Sequence, residues 1–365
     1  FEHIYSSMTE AFLFRDAPEE WQGLAASLNY PTDQMSDYVY PPLWAAVFAP
    51  IAGAVSPLAF LNAALILLHA VFALGVMAAW HLSHRPIPAL HWAGLAIALL
   101  ELTSVGWLAS SLVQPQYFVV GLILIAFALY QQGWAATAGT IIAVAAAIKV
   151  TPLFFAVIFL ADRNWRALIA FVLVGAALAG VSVLLAGWPM HQEFLSRLDV
   201  LQHRVLFSHI NLSLIGFASF LQVAWHAEDV WRIFGHAWVD LPGTIKPLSS
   251  VLLILTCIAA AAIKLRNAGG QGLALSVLFI GLATTIASPL GWLHYLIILI
   301  ACAPVVFALF SARTALVLML ALTLLLNRFM FDAMLSGHIH VSLLYHGAFG
   351  LVVTGFVAWV GLRRR

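Results

Sequence analysis

Apolar residues run in long blocks along this chain, and polar residues collect in short stretches between them. The blocks at 58–80, 90–108, 167–187, 247–264, 271–288, 294–311, 313–328 and 343–362 carry almost no charge and show no alternation. About 20 apolar residues in a helix cross the ~30 Å hydrocarbon core, whereas barrel strands alternate with a period of two. The pattern therefore predicts helical spans at these eight blocks. Three further apolar pieces, 117–130, 134–148 and 152–161, are too short to cross alone. The fold class expected is all-α, a polytopic integral membrane protein in one transmembrane domain over 1–365.

Cationic loops mark the cytoplasmic side. The candidates are "HLSHR" at 81–85, "DRNWR" at 162–166, "KLRN" at 264–267, "SAR" at 311–313 and "RRR" at 363–365. Placing all five inside imposes an alternation that leaves 1–57, 110–116, the long loop 188–246, 288–294 and 327–342 outside. One stretch breaks the pattern. Both 131–133 and 162–166 should lie inside, yet only 28 residues separate them, with Lys149 and Pro152 halfway. Fifteen helical residues cover only about 22 Å. The segment 134–161 is therefore expected to be a short hairpin or broken helix with Lys149 at its tip. A charge at membrane depth is costly and needs a cavity or partner. Lys149 reads either as a snorkelling side chain or as an anion ligand.

Composition narrows the class without naming a reaction. The 365 residues are 63% hydrophobic and 8% charged, against about 25% charged in soluble domains. Too little charge is present to cover a water-facing surface. The net charge of +1 and the lack of a basic arm point to no nucleic-acid partner. Cys257 and Cys302 both lie in apolar runs and read as core residues.

The polar residues of the outer face share a second property: they sit at helix breaks. "SDYVYPPLW" at 36–44 places Tyr40 before a proline pair that can begin a helix over 43–55. "SSLVQPQYF" at 110–118 sets Gln114 and Gln116 around Pro115. "HINLSL" at 209–214 contains Asn211, and "ASPLGWLHY" at 287–295 contains Pro289, Gly291 and His294. With Lys149, these four breaks look like the rim and floor of one cavity. Glu101 reads equally as a functional intramembrane acid or a partnered structural one. His69 and His346 read as core histidines. Within 188–246, the pairs Glu193/Arg197 and Asp199/His203 have the spacing of a solvated amphipathic helix. No zinc-ligand spacing is present.

These motifs occur in an order that resembles the GT-C glycosyltransferases of family 87, the polyprenyl-phosphate-mannose-dependent α-mannosyltransferase type. The resemblance covers about 1–300. Its most specific pieces are the glycine–alanine helix leading into Lys149, Thr151 and Pro152, and the string Ser288, Pro289, Trp292, His294. It implies a GT-C fold with short and broken helices around an outward-facing cavity, in a bacterial plasma membrane with the active site on the outer, periplasmic side. It also implies inverting transfer of mannose from a polyprenyl-phosphate donor to a hydroxyl of a lipid or glycan acceptor. The family carries a carboxylate on its first outer loop, after a first transmembrane helix. Here "FEHIY" supplies Phe1, His3 and Tyr5, so the expected aspartate falls immediately before Phe1 and the first helix upstream of it. Glu2 is adjacent, with a side chain that points differently. Two departures are Pro115 before Gln116, where the family more often has glycine, and Tyr295, where a second histidine often follows the one matching His294.

Such a transfer needs a carboxylate to take the acceptor proton and positive or hydrogen-bond-donating groups to stabilise the departing phosphate. Lys149 and His294 are the expected phosphate partners, with His294 also a catalytic candidate. His3, Tyr5, Tyr40, Gln116 and Asn211 are expected at the sugar or acceptor. With protein cations present, no metal and no cofactor is required. The competing class is a lipid-linked sugar transporter or flippase, which broken helices and a midplane cation also suit. No internal repeat supports it.

Overall fold

The computed structural model describes residues 22, 23, 26, 27, 38, 40–112, 114–226, 237–267, 271–335 and 339–363. The first loop residues Glu2, His3 and Tyr5 lie outside that set. Helix α1 (Pro42–Ala54) begins on Pro42, whose missing N–H costs nothing at a first turn. Helix α2 (Pro57–Leu82) also begins on a proline, where the Ser56 hydroxyl accepts from Ala59 N at 3.3 Å. At 26 residues it is about 39 Å long, enough to cross a bilayer.

The block 90–108 does not form one span. Helix α3 (Ala89–Leu102) stops at Thr103, which turns extended, pairs with Asn327 and returns its hydroxyl to Leu99 O at 2.7 Å. Helix α4 (Ser104–Ser111) restarts at once, with Ser104 N donating to Leu326 O. The break satisfies its backbone groups inside the protein, the condition under which irregular chain persists at membrane depth.

The expected short hairpin is present. Helix α5 (Gln116–Gln131) runs down and α6 (Ala135–Ile148) runs back up. Lys149 leaves the helix, a 3₁₀ turn spans Thr151–Phe155, and α7 (Ala156–Ala161) returns. The glycine–alanine composition of α6 has a packing reason. A Cβ on Gly139 would collide with the carbonyl of Ala167 in α8 (Trp165–Ala186). The indole of Trp44 in α1 donates to Ala147 O at 3.0 Å and roofs the hairpin tip.

The loop 188–246 contains α9 (Trp188–His203), with Glu193–Arg197 at 2.9 Å and Asp199–His203 at 3.6 Å, the i,i+4 pairs that the spacing anticipates. It continues into β1 (Arg204–Phe207), α10 (Leu214–His226) and β2 (Ala237–Asp240), the strands pairing antiparallel with Arg204 opposite Asp240. This ribbon has no counterpart in the apolar pattern, because its residues also serve the buried cluster around Phe207 and Phe220.

Helices α11 (Lys246–Arg266), α12 (Gly272–Ala287), α13 (Ile297–Cys302), α14 (Val306–Leu309), α15 (Ala312–Leu325), α16 (Arg328–Leu335) and α17 (Ile339–Arg363) complete the chain. Among the described residues, four helices (α2, α8, α11 and α17) are long and apolar enough to cross a membrane singly. The blocks 271–288, 294–311 and 313–328 are shorter or interrupted, the middle one by 3₁₀ turns at Leu293–Leu296 and around Pro304. For α12 the reason is burial: every residue but Gly281 is inside the protein, so its length need not match the lipid. The protein is an all-α polytopic membrane protein.

The two ends of the bundle are distinct. At one end, His81 bonds Gln131, Tyr130 and Lys264 both reach the Asp162 carboxylate, and Arg266 and Asn267 hold the carbonyls of Leu362 and Gly361. At the other end, Tyr40 bonds Gln114, Asn211 bonds Pro289, and His209 bonds Ser342. The cationic stretches 81–85, 162–166 and 264–267 thus share one end with the last turn of α17, and the four helix breaks share the opposite one.

Candidate functional site

The break after α6 aims Lys149. Its backbone is extended (φ −147°, ψ 134°) while its N–H still donates to Ala145 O. Pro152 then restarts the chain as a 3₁₀ turn instead of continuing α6. The side chain enters a cavity of about 170 Å³. Its lining is polar at Gln116, Lys149, Thr151, Ser288 and Tyr295 and apolar at Val120, Ile123 and Phe155. Lys149 Nζ donates to Gln116 Oε1 at 2.8 Å and lies 3.3 Å from the centroid of the Tyr295 ring. No carboxylate among the described residues lies within ion-pair distance of it. The Thr151 hydroxyl also has no hydrogen-bond partner among the described residues.

The 288–296 break supplies Ser288, Leu290 and Tyr295 to the same cavity. Asn211 fixes it. The Asn211 amide donates to Leu206 O at 2.7 Å and to Pro289 O at 3.1 Å, and its carbonyl accepts from Ser213 N and Gly291 N. Gly291 is required there, since a Cβ would strike the Thr285 carbonyl. The Ser213 hydroxyl holds Ser288 O. The 3₁₀ turn that follows presents Tyr295 to the cavity and places His294 one layer behind it. His294 is 2% exposed, stacked beside Trp292 at 6.1 Å and edge-on to Tyr295 at 4.8 Å. Neither of its ring nitrogens has a hydrogen-bond partner among the described residues. Lys149 and His294 both contact the same Tyr295 ring, so their separation is bounded by the two short distances to it.

The expected residues therefore divide. Lys149 and Gln116 meet directly. His294 is beside them but off the lining. Tyr40 binds Gln114 at the rim. Asn211 builds the break: both amide hydrogens donate to backbone carbonyls and its carbonyl accepts from two backbone amides. Glu101 is exposed at the last turn of α3 and near Tyr117, away from the cavity lining. His69 bonds its own helix at Leu65 O and packs on Tyr117. His346 is buried, with Nδ1 unpartnered among the described residues. Tyr295 and Thr151 escaped the reading as site residues. The first looked like a missing histidine, and the second was visible only as part of the Lys149–Pro152 motif.

A separate apolar groove of about 340 Å³ lies between α1, α6, α8 and α9, against Pro42, Ala147, Leu153, Ala176 and Phe194. Leu153 faces this groove while Thr151 and Phe155, on the same turn, face the polar cavity.

The sequence model of glycosyltransferase family 87 matches residues 38–289, a stretch that includes Tyr40, Gln116, Lys149 and Asn211. No curated protein and no solved structure matches the chain.

Proposed function

Because the chain belongs to glycosyltransferase family 87, and so is a membrane glycosyltransferase with a sugar donor and an acceptor, we propose that it transfers mannose from a polyprenyl-phosphate donor to a hydroxyl of a lipid or glycan acceptor, on the outer side of a bacterial plasma membrane. The observation that carries this reading is the cation of Lys149, facing a cavity without a counter-ion among the described residues, next to an imidazole whose nitrogens are unclaimed. Buried charges are paired in stable proteins. An anionic ligand supplies the missing partner.

In the proposed reaction the acceptor oxygen attacks the anomeric carbon as the bond from that carbon to the phosphate oxygen breaks. Attack opposite the leaving group inverts the anomeric centre. The acceptor proton passes to a carboxylate of the first outer loop, outside the described residues. Positive charge builds on the sugar ring and negative charge on the departing phosphate. Lys149 meets that phosphate together with the Thr151 hydroxyl. Gln116 holds the ammonium in place, and His294 adds a second donor when the ring turns past Tyr295. Tyr40 stands at the rim on the sugar side. The prenyl chain follows the apolar groove on the far face of the Thr151–Phe155 turn, so that one short turn separates head group from tail.

Incubating purified protein with polyprenyl-phosphate mannose, glucose or arabinose and a lipid extract tests this. Mannose should move to an acceptor with release of polyprenyl phosphate. Consumption of another donor in its place, or of none, sinks the mannose assignment.

A further inference from the structure

We infer that Tyr295 is a positioning residue for Lys149, its ring face holding the ammonium toward the cavity where the departing phosphate is stabilised. This rests on the reading of Lys149 as the phosphate ligand. A lysine ammonium sits on a flexible four-carbon stem and carries three rotatable donors. Without restraint it would sample many orientations, and only some would meet the phosphate. Two contacts remove that freedom. Gln116 Oε1 takes one donor at 2.8 Å, and the Tyr295 ring centroid stands 3.3 Å from Nζ. The ring quadrupole attracts a cation over its face, most strongly where water is excluded.

The ring is itself held in place. Tyr295 N donates to Trp292 O at 2.9 Å within the 3₁₀ turn, and Asn211 and Ser213 pin the preceding break. The ring also touches His294, whose plane is perpendicular to it at 4.8 Å between centroids. The Tyr295 hydroxyl makes no hydrogen bond among the described residues. The ring face, not the hydroxyl, is the part that acts on Lys149.

The test is a series at position 295 in the full chain, with donor kcat and KM and a melting temperature for each variant. Tyr295→Phe should keep near wild-type turnover. Tyr295→Leu should lose about 10- to 30-fold in kcat/KM for the polyprenyl-phosphate donor, the size of a desolvated cation–π contact. Most of that loss should fall on kcat, because the charge that Lys149 meets develops in the transition state. Phenylalanines carrying one, two and three ring fluorines, introduced at 295, keep the shape but progressively weaken the ring quadrupole. Turnover should fall stepwise along them at constant melting temperature, which also decides the matter if the leucine variant folds poorly. A flat fluorine series, a fully active leucine variant or an inactive phenylalanine variant each overturns the role assigned to the ring. Lys149→Ala, run alongside, separates the two readings. If it stays active, the phosphate assignment of Lys149 fails. If it is inactive while the 295 series is flat, only the positioning role fails.

Discussion

His294 gives the account its most exacting test, because replacing it should make the donor-free protein more stable and the enzyme slower. The imidazole is 2% exposed and both nitrogens lack partners among the described residues. A neutral imidazole carries one donor and one acceptor, and each buried group left unsatisfied costs about 1–3 kcal/mol. His294→Phe keeps a ring beside Trp292 and Tyr295 and removes both polar atoms. The extra volume costs about 1 kcal/mol in a packed site. The net expectation is a gain of about 1–5 kcal/mol, a melting temperature higher by a few degrees, since a chain of this length moves only a little over about 1 °C per kcal/mol. Turnover should fall by about 10²–10³, the loss that follows removal of one donor to a developing anion. The assay is thermal unfolding of the detergent-purified variant without donor, followed by transfer kinetics on the same sample. A variant that melts below wild type and loses activity only in proportion to folded protein would show that His294 is an ordinary core residue. Wild-type turnover in a stabilised variant would remove His294 from the site altogether.

Lys149→Ala should lower turnover by about 10²–10³ without lowering the melting temperature, and Lys149→Arg should rescue only in part because the guanidinium is larger and planar. Transfer kinetics with paired melting curves check both. Asn211→Ala removes four backbone contacts, two of them to the 288–291 break, and should cost roughly 4 kcal/mol, at about 1 kcal/mol per bond; activity then tracks the folded fraction in a chemical-denaturation series. Asp162→Asn breaks the 2.9 Å pair with Lys264 at the opposite end of the bundle. It should destabilise by about 1–3 kcal/mol, below the fully buried range because both side chains are about a fifth exposed, and leave donor KM unchanged. In cells, with Cys257 and Cys302 replaced by serine, Thr244→Cys should react with an impermeant maleimide and Gln132→Cys only after permeabilisation; the reverse labelling would invert the proposed orientation.

The long peripheral helices were legible because lipid sets both their composition and their length. Helices 57–82, 165–186, 246–266 and 339–363 fall within a few residues of the apolar blocks that predict them. The hairpin tip at Lys149 followed from arithmetic, since 28 residues cannot cross the bilayer twice. The interior was less legible. The span expected at 90–108 breaks at Thr103, and the signal for that break is a pairing with Asn327 that lies over two hundred residues away. Helix α12 looked like a span because a buried helix and a lipid-facing one have the same composition. At the site, chemistry-bearing residue types were visible but their division of labour was not. Asn211 and Gln116 are both amides beside helix breaks, yet one is consumed by backbone and the other meets Lys149. Only the fold separates them. Glu2, His3 and Tyr5 lie outside the described residues.

The claim on which the rest depends is that the cavity at Lys149 holds the phosphate of a polyprenyl-phosphate carrier. The direct measurement is a cryo-electron-microscopy map of the full chain in nanodiscs, saturated with polyprenyl phosphate. The account predicts phosphate density at hydrogen-bond distance, about 3 Å, from Lys149 Nζ, with the chain emerging past the Thr151–Phe155 turn into the groove beside α1 and α8. Density for the phosphate at the other end of the bundle, by Asp162 and Lys264, or a saturated sample whose Lys149 cavity is empty, would contradict it.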